Sequence, residues 1–541
     1  MDSRTKKKVI IGTRGSDLAL WQAGYLQNLL SEKNISSELK IIVTSGDKNQ
    51  QWQNYFDKTE GKNFFTKEIE EALLKEEIDI AVHSFKDVEA IFSEDDDSPL
   101  IIAGLSNRHA ANDILILHKD KVDKSMVLHI SPHARIGTSS ARRYAQLRSF
   151  RTDVEILPLR GNVPTRIEKL KKREYDGIIL ARAGVERLNI SLDEFYVYSL
   201  PLHYFVPAAG QGIIAFQVKR DNEELCQLIK SISSTVSENC SKIERYILKW
   251  IGGGCSKPIG VFCEYHHHLF RLYLSVNTDK EQTSIISILQ EEDTEMLINK
   301  AKQNILKIRE YLKHPCNKTI FVSKKLEENN YLRKVLKRLG WCVTDEPLIK
   351  TEKIEVKELP DSDWIFFNSK NAVKYFFELF DVEGLKNKKI GCVSSSTADY
   401  LQSKGVMPHF IGEGNDIQDI GKQFADTSKN QKVLFPCSDI SNKSIGKEVK
   451  LHGEAIYLPI YHTVENPKKF TDEFDCLVFT SPSNVRAYFK YNHLSSHSKI
   501  IAMGESTKRE ILKYDVDAGQ VVTPVFFDDV GIAAALIDVM E

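Results

Sequence analysis

Asp87 closes the segment His83-Ser84-Phe85-Lys86-Asp87, at the end of the apolar run IDIAVHS. A carboxylate at a strand end can hydrogen-bond a substrate N–H, stabilise a developing cation and shuttle protons, an effect of about 10²–10⁴ in rate. Taken alone, the same aspartate also reads as a helix N-cap. Positive charge collects at comparable places. Arg14 follows KVIIGT, Arg142 and Arg143 open a helix after Gly137-Thr138-Ser139-Ser140, and Arg160 ends VEILPL. Arg166 lies in the first turn after Pro164, and Arg187 comes just after ILARAGV. Ligands of open α/β sheets bind beyond the carboxyl ends of strands, where helix N-termini favour anions. Guanidinium forks grip carboxylates or phosphates in pairs. The set predicts a substrate with several such groups, although any one of these arginines also reads as solvated surface. Cys255 follows Gly252-Gly253-Gly254, on a loop open enough for a covalent adduct. Its alternative is a small buried hydrophobe.

Other features carry less. The glycine run lacks the G-x-x-x-x-G-K-[ST] phosphate loop. His266-His267-His268 reads as a solvated turn between strands, and Glu94-Asp95-Asp96-Asp97 as a solvated loop. Neither has ligand spacing, so no metal is expected.

These groups must be positioned by short strands alternating with amphipathic helices, as in KVIIGT, LALWQAGYLQNLLSEK and ELKIIVTSGD. That rhythm predicts α/β domains with largely parallel sheets. The polar stretch Gly46–Lys62 reads as a long loop, followed by the helix TKEIEEALLKEE. A second α/β block spans about 112–206, and a compact piece with strands VFCEY and LFRLYLSV ends in a long helix. His314-Pro315-Cys316-Asn317 marks the best domain boundary. Beyond it lies a weak repeat. IFFNSKNAVKYFF aligns with LVFTSPSNVRAYF, pairing Ser369 with Ser481, and KIGCVSSSTADYL aligns with KIIAMGESTKREIL, pairing Thr397 with Thr507. Two similar α/β lobes facing across a cleft are expected.

With 541 residues the chain exceeds one hydrophobic core, and 42% hydrophobic with 28% charged residues is ordinary globular composition. Seventy-four Lys and Arg balance 75 Asp and Glu, which argues against nucleic acid or an anionic membrane as main partner. Nine scattered Cys without a C-x-x-C suggest neither disulfides nor zinc and fit a reducing compartment. No secretory or membrane-spanning run is present, so a soluble, cytoplasmic protein is expected. The sequence leaves the oligomeric state open, with a monomer compatible.

Residues 8–314 closely resemble porphobilinogen deaminase (hydroxymethylbilane synthase) through TRGSDLALWQ, VTSGD, GKNFFTKEIEEALL, DIAVHSFKDV, IGTSSARR, LRGNVPTRIEKL, YDGIILARAGVERL, PAAGQG and GGGCSKPIG. The resemblance implies two domains similar to type II periplasmic binding proteins, 6–106 with 213–230 and 111–206, plus a small α+β domain, 235–314. It implies a transferase that joins four porphobilinogens head to tail with loss of ammonia, through an electrophilic azafulvene and without metal. On this match Cys255 carries a covalent dipyrromethane, and Asp87 is the catalytic aspartate with Lys86 as its basic neighbour. Arg14, Arg142, Arg143, Arg160, Arg166 and Arg187 bind acetate and propionate groups; Ser16, Ser139 and Ser140 supply hydroxyls; Lys62 and Phe65 lie at a lid. Lys86, Asp87, Ser139, Ser140 and all these arginines except Arg14 are implied to contact the cofactor. Arg14, Ser16, Arg160, Arg166, Lys62 and Phe65 are implied to contact substrate. Asp17, Glu89, Asn63, Pro164, Ala141 and Arg182 depart from the family pattern without removing a matched functional group.

Residues from about 318 to 541 resemble uroporphyrinogen-III synthase through WIFFNSKNAV, CVSSSTADYL, VLFPCSDIS, GEAIYLPIYHTV, LVFTSPSNV and IAMGESTKREI. This implies two α/β lobes joined by extended linkers, 318–349 with 464–541 and 360–455. It also implies a cofactor-free lyase that closes the linear tetrapyrrole with inversion of ring D. Tyr461 matches a tyrosine assisting loss of the terminal hydroxyl, and Ser369, Thr397, Ser481 and Thr507 match strand-end hydroxyls at the cleft. The expected protein is a bifunctional enzyme of haem biosynthesis whose partners are porphobilinogen and the linear tetrapyrrole. Two other readings stand beside it: an active deaminase with an inactive C-terminal interaction module, and a non-enzymatic solute-binding protein.

Overall fold

The structure is a computed structural model describing residues 8–44, 66–88, 98–252, 257–277, 279–412, 417–441 and 443–540. The chain divides into two compact units, residues 1–122 with 131–314, and residues 123–130 with 315–541. Lys62, Phe65 and Cys255, singled out above, lie outside the described residues.

The first unit holds three sheets. In the first, the strand Ile80–Ser84 lies between Val9–Thr13, which runs parallel to it, and Ile214–Lys219, which runs antiparallel; Ser37–Ile41 and Leu100–Leu105 form the edges. Its apolar run IAVH is buried throughout, as a central strand covered on both faces must be. The helix Asp17–Glu32 packs here through Gln22, Ala23, Leu26 and Leu30, one stripe at helical spacing. The second sheet has the order Glu155–Leu157, Arg135–Gly137, Gly177–Ala181, Asp113–His118, Phe195–Ser199. All six residues of Asp113–His118 are buried, including the aspartate. The third is an antiparallel meander, Gly260–His266, Leu269–Val276 and Ile285–Glu291, turning at His267-His268 and packed against the helices Thr235–Ile251 and Thr294–Lys313.

In the second unit, the strand Thr319–Val322 pairs in parallel with Cys342–Asp345 and with Cys476–Phe479, far along the chain, in a five-stranded parallel sheet. A six-stranded sheet has Trp364–Phe367 at its centre and Glu454–Glu465 bridging Lys432–Ser438 to the antiparallel edge Ile349–Lys353. The repeat seen in the sequence becomes a repeated structure. Ser369 and Ser481 each follow a buried strand and cap the next helix with nearly identical extended backbone, φ/ψ −164/161 and −163/159. The α/β character expected from the strand–helix rhythm is what the sheets display, but largely parallel sheets occur only in the second unit. In the first, Ile214–Lys219 and Asp113–His118 each pair antiparallel with both neighbours, and the third sheet is wholly antiparallel. Among the described residues, no helix is long and apolar enough to cross a membrane.

Candidate active site

The strand Ile80–Ser84 delivers the short 3-10 turn Phe85–Asp87 at its carboxyl end, and within that turn Phe85 is fully buried while Asp87 is exposed. Arg14, Ser16, Thr66, His83 and Asp87 line one small polar cavity of about 120 Å³. Ser16 precedes the helix Asp17–Glu32 but makes no side-chain capping bond. Behind the cavity, His83 is buried with Nε2 3.1 Å from Gln217 Oε1, and burial lowers its pKa to about 4, so the ring is neutral.

The second sheet contributes a denser charge cluster. Asp113, wholly buried at a strand start, accepts from Arg142 Nη1 at 2.9 Å and from Arg143 Nη2 at 2.8 Å. Gln211 Nε2 donates to the same carboxylate at 3.0 Å. Burial alone would raise the Asp113 pKa, but the two guanidiniums outweigh it and hold the carboxyl well below the usual range. Arg142 Nη1 also donates to Val206 O at 2.8 Å and Nη2 to Gln211 Oε1 at 3.5 Å, and Arg143 Nη1 donates to Ile179 O at 3.1 Å. Asp113 and Gln211 were not singled out from sequence; an aspartate opening the apolar run DILIL is the signal that could have flagged the first.

The two groups share one electrostatic neighbourhood. Lys86 is shifted down by burial, held up by Asp87 and Asp113, and pushed down again by Arg143 and Arg142. Burial lowers Arg166 to about 10, with Arg143 adding repulsion and Asp87 attraction. Cations therefore outnumber carboxylates around Asp87 among the described residues, an arrangement stabilised by an incoming anion. Arg166 Nε also donates to Gly161 O at 2.7 Å. Ser140 caps the helix Ala141–Phe150 by accepting from Arg143 N–H, and Ser139 Oγ accepts from Leu159 N–H at 3.0 Å. Arg160 is exposed. Arg187 is buried, donates 2.7 Å to Gly212 O and lies 5.4 Å from the Trp21 ring centroid. Gly212 has φ +87°, and a Cβ there would come within 2.5 Å of His109 O, so the carbonyl Arg187 uses depends on glycine. A larger groove, about 490 Å³ and lined by Ile114, Val185 and Val197, holds none of the predicted site residues.

Residues 9–227 match the family model described as porphobilinogen deaminase, dipyromethane cofactor binding domain. The porphobilinogen deaminase of Clostridium novyi is 36% identical over 299 residues, 54% of this chain and 92% of that protein. The chain belongs to the porphobilinogen deaminase family. The enzyme of that name from Syntrophomonas wolfei is 41% identical over 256 residues, 47% of this chain and 80% of its own length. Residues 330–523 match the model for uroporphyrinogen-III synthase HemD, so the deaminase is fused to a second domain of the same pathway. Uroporphyrinogen-III synthetase of Helicobacter pylori aligns over 41% of this chain and 99% of its own at 16% identity and a TM-score of 0.32; the second assignment rests on the family model. Both are enzyme families of porphyrin and haem biosynthesis acting on small pyrroles. The cofactor of the deaminase domain is dipyrromethane. The cation-rich donor set around Asp87 fits a ligand bearing several carboxylates.

In the synthase domain, Tyr461 is buried, its ring stacked on Tyr375 with centroids 5.1 Å apart and its hydroxyl 3.4 Å from Ser369 Oγ. Burial raises its pKa. Ser369 accepts from Ala372 N–H at 3.2 Å, and Ser481 from Asn484 N–H at 3.4 Å. Thr507 Oγ1 donates to Met503 O at 3.2 Å, and Thr397 Oγ1 lies 3.2 Å from Ser394 Oγ; both threonines are buried.

Proposed function

We propose that this chain joins four porphobilinogens head to tail, releasing one ammonia per unit, and closes the resulting hydroxymethylbilane to uroporphyrinogen III with inversion of ring D. The observation that best supports the first step is that Asp87, which lines the cavity with Arg14 and Ser16, interacts with Lys86 and Arg166, on both of which Arg143 also acts. Dipyrromethane attached at Cys255 supplies, when bound, the pyrrole carbon that is extended. Lys86, Arg142, Arg143, Arg160, Arg166 and Arg187 hold carboxylates of the oligopyrrole, with Ser139 and Ser140 as polar neighbours. Arg14 and Ser16 bind the incoming pyrrole from the cavity wall they share with Asp87. Asp87 accepts hydrogen bonds from pyrrole N–H groups, stabilises positive charge as ammonia leaves, and carries the proton lost at the carbon that couples. Lys62 and Phe65 join the site on the strength of the family resemblance.

For the second step, the Tyr461 hydroxyl, protonated at neutral pH as an ordinary tyrosine is, donates to the departing terminal hydroxyl. Turns at Ser369, Thr397, Ser481 and Thr507 offer backbone N–H groups to the substrate carboxylates. The architecture inferred is two type II periplasmic-binding-protein-like domains, 6–106 with 213–230 and 111–206, and a small domain, 235–314, followed by lobes 318–349 with 464–541 and 360–455 joined by extended linkers. The return of the strand Ile214–Lys219 to the first sheet and of Cys476–Phe479 to Thr319–Val322 supports such discontinuous domains. A cytoplasmic location suits both steps.

Incubating the full chain with porphobilinogen, oxidising the products and separating porphyrin isomers tests both halves. Type III isomer is the expected product. Type I alone would confine activity to the first step, and unconsumed porphobilinogen would overturn the reading. Intact mass of Cys255→Ala should lack a dipyrromethane increment that the unsubstituted chain carries.

A further inference from the structure

We propose that Arg245 is a positioning residue for Asp87, fixing from a neighbouring helix the turn that aims this carboxylate into the cavity. The inference rests on the reading of Asp87 as the catalytic carboxylate. Arg245 lies on the helix Thr235–Ile251 and is 4% exposed, a setting in which a guanidinium needs hydrogen-bond partners from the protein. Its Nη1 donates to Val88 O at 2.7 Å and its Nη2 to Phe85 O, so one guanidinium spans the two carbonyls that bracket Lys86-Asp87. The same guanidinium sits 4.4 Å from the centroid of the buried Phe85 ring. Phe85 is confined from the other side as well: Gly210 adopts φ +74°, and a Cβ there would approach the ring to 2.6 Å.

The rest of the turn leaves that grip much to do. Phe85 N–H donates to Ile213 O at 3.0 Å, and Val88 N–H closes the turn on Phe85 O at 3.2 Å. Neither bond engages the Val88 carbonyl. Two charge-assisted donors from one planar group set the separation and direction of both carbonyls, and so the path of the two residues between them. The adjacent Glu244 anchors the helix that carries the fork. Its buried carboxylate accepts from Arg108 Nη2 at 2.7 Å, Gly210 N–H at 2.7 Å and Cys263 N–H at 2.8 Å. Misplacing a catalytic group by about 1 Å costs on the order of 10²-fold in rate, so a rigid frame here has catalytic consequence.

The test uses the full chain loaded with its cofactor, loading being checked by intact mass, and measures porphobilinogen consumption for Arg245→Met and Arg245→Lys. Arg245→Met should lower kcat about 10²-fold with KM within about threefold, the pattern of lost transition-state interactions rather than lost binding. Arg245→Lys can serve only one carbonyl well and should lose about tenfold in kcat; it keeps the test alive where the methionine variant does not fold. In an Asp87→Ala background, Arg245→Met should remove less than about threefold more, because the group it positions is gone. A kcat within about threefold of the unsubstituted enzyme in the folded Arg245 variants, with Asp87→Ala inactive, overturns this proposal alone. Normal turnover by Asp87→Ala overturns the underlying reading, whatever the Arg245 variants do.

Discussion

The deaminase domain and the synthase domain handle polar groups in opposite ways. Around Asp87 the side chains are tied across long stretches of sequence: Asp113 to Arg142 and Arg143, Arg245 to Phe85 and Val88, Glu244 to Arg108. In the synthase domain the matched hydroxyls are engaged locally, each within four residues, apart from the contact of Tyr461 with Ser369. A site that gathers many carboxylates needs fixed positive charge, and fixed charge in a partly buried place needs partners supplied by the fold. A site that presents turns and one phenol needs only well-formed helix starts. The first kind of site writes its chemistry into residue types, and the second writes it into backbone.

The largest effect that follows is at Asp87. Asp87→Ala should lower porphobilinogen consumption by about 10²–10⁴-fold. Because the side chain is exposed, the urea midpoint should barely move. Near-normal turnover would break the contrast by leaving the charge cluster without a reaction to serve.

Next comes the counter-ion. Asp113→Asn leaves Arg142 and Arg143, both almost fully buried, without their shared carboxylate, and breaking a buried pair costs about 3–5 kcal/mol. Urea unfolding should show that loss in the first unit, and added sulfate should restore part of it by replacing the missing anion. An unchanged midpoint would mean that the arginines hold their places without Asp113.

How much of this was legible follows the same division. The strand–helix order and the placement of Asp87 at a strand end could be read because strand ends followed by charged residues carry a local signature. Which arginines have internal partners could not, since Asp113 and Arg142 are 29 residues apart and meet only after the sheet forms. The Thr235–Ile251 helix held a usable signal. Cys240, Ile243, Glu244, Ile247 and Ile251 fall on one buried face, so a glutamate interrupts an apolar stripe. Ser237, Ser241 and Arg245 form a second buried line at steps of four. Charged residues at core positions of an amphipathic helix are seldom buried without a partner, and both proved to be structural ties. In the synthase domain the repeat disclosed the helix caps, but a capping serine and a ligand-binding serine look alike in sequence.

A smaller effect concerns the buried histidine behind the cavity. Its folded pKa of about 4 lies below the ordinary 6.5, so the unfolded chain binds the proton first as pH falls. Stability from this residue is therefore complete above pH 6.5 and declines as pH drops toward 4, by an amount on the order of 2–3 kcal/mol. His83→Gln removes the titration while keeping a donor for Gln217, and should flatten the pH dependence of unfolding in that window. An unaltered slope would show that His83 is not the proton acceptor.

The smallest effect sharpens the comparison most directly. Ser369 and Ser481 each accept one backbone N–H at the start of a helix, and loss of such a cap costs about 1 kcal/mol. Ser369→Ala and Ser481→Ala should each lower stability by about that much while leaving the share of type III porphyrin unchanged, the outcome expected of hydroxyls that act as helix caps. Isomer analysis beside urea unfolding separates the two roles. A collapse of the type III share at unchanged stability would make the hydroxyl a direct substrate contact. The synthase domain would then also write its chemistry in side chains, and the contrast between the two domains would be one of charge alone.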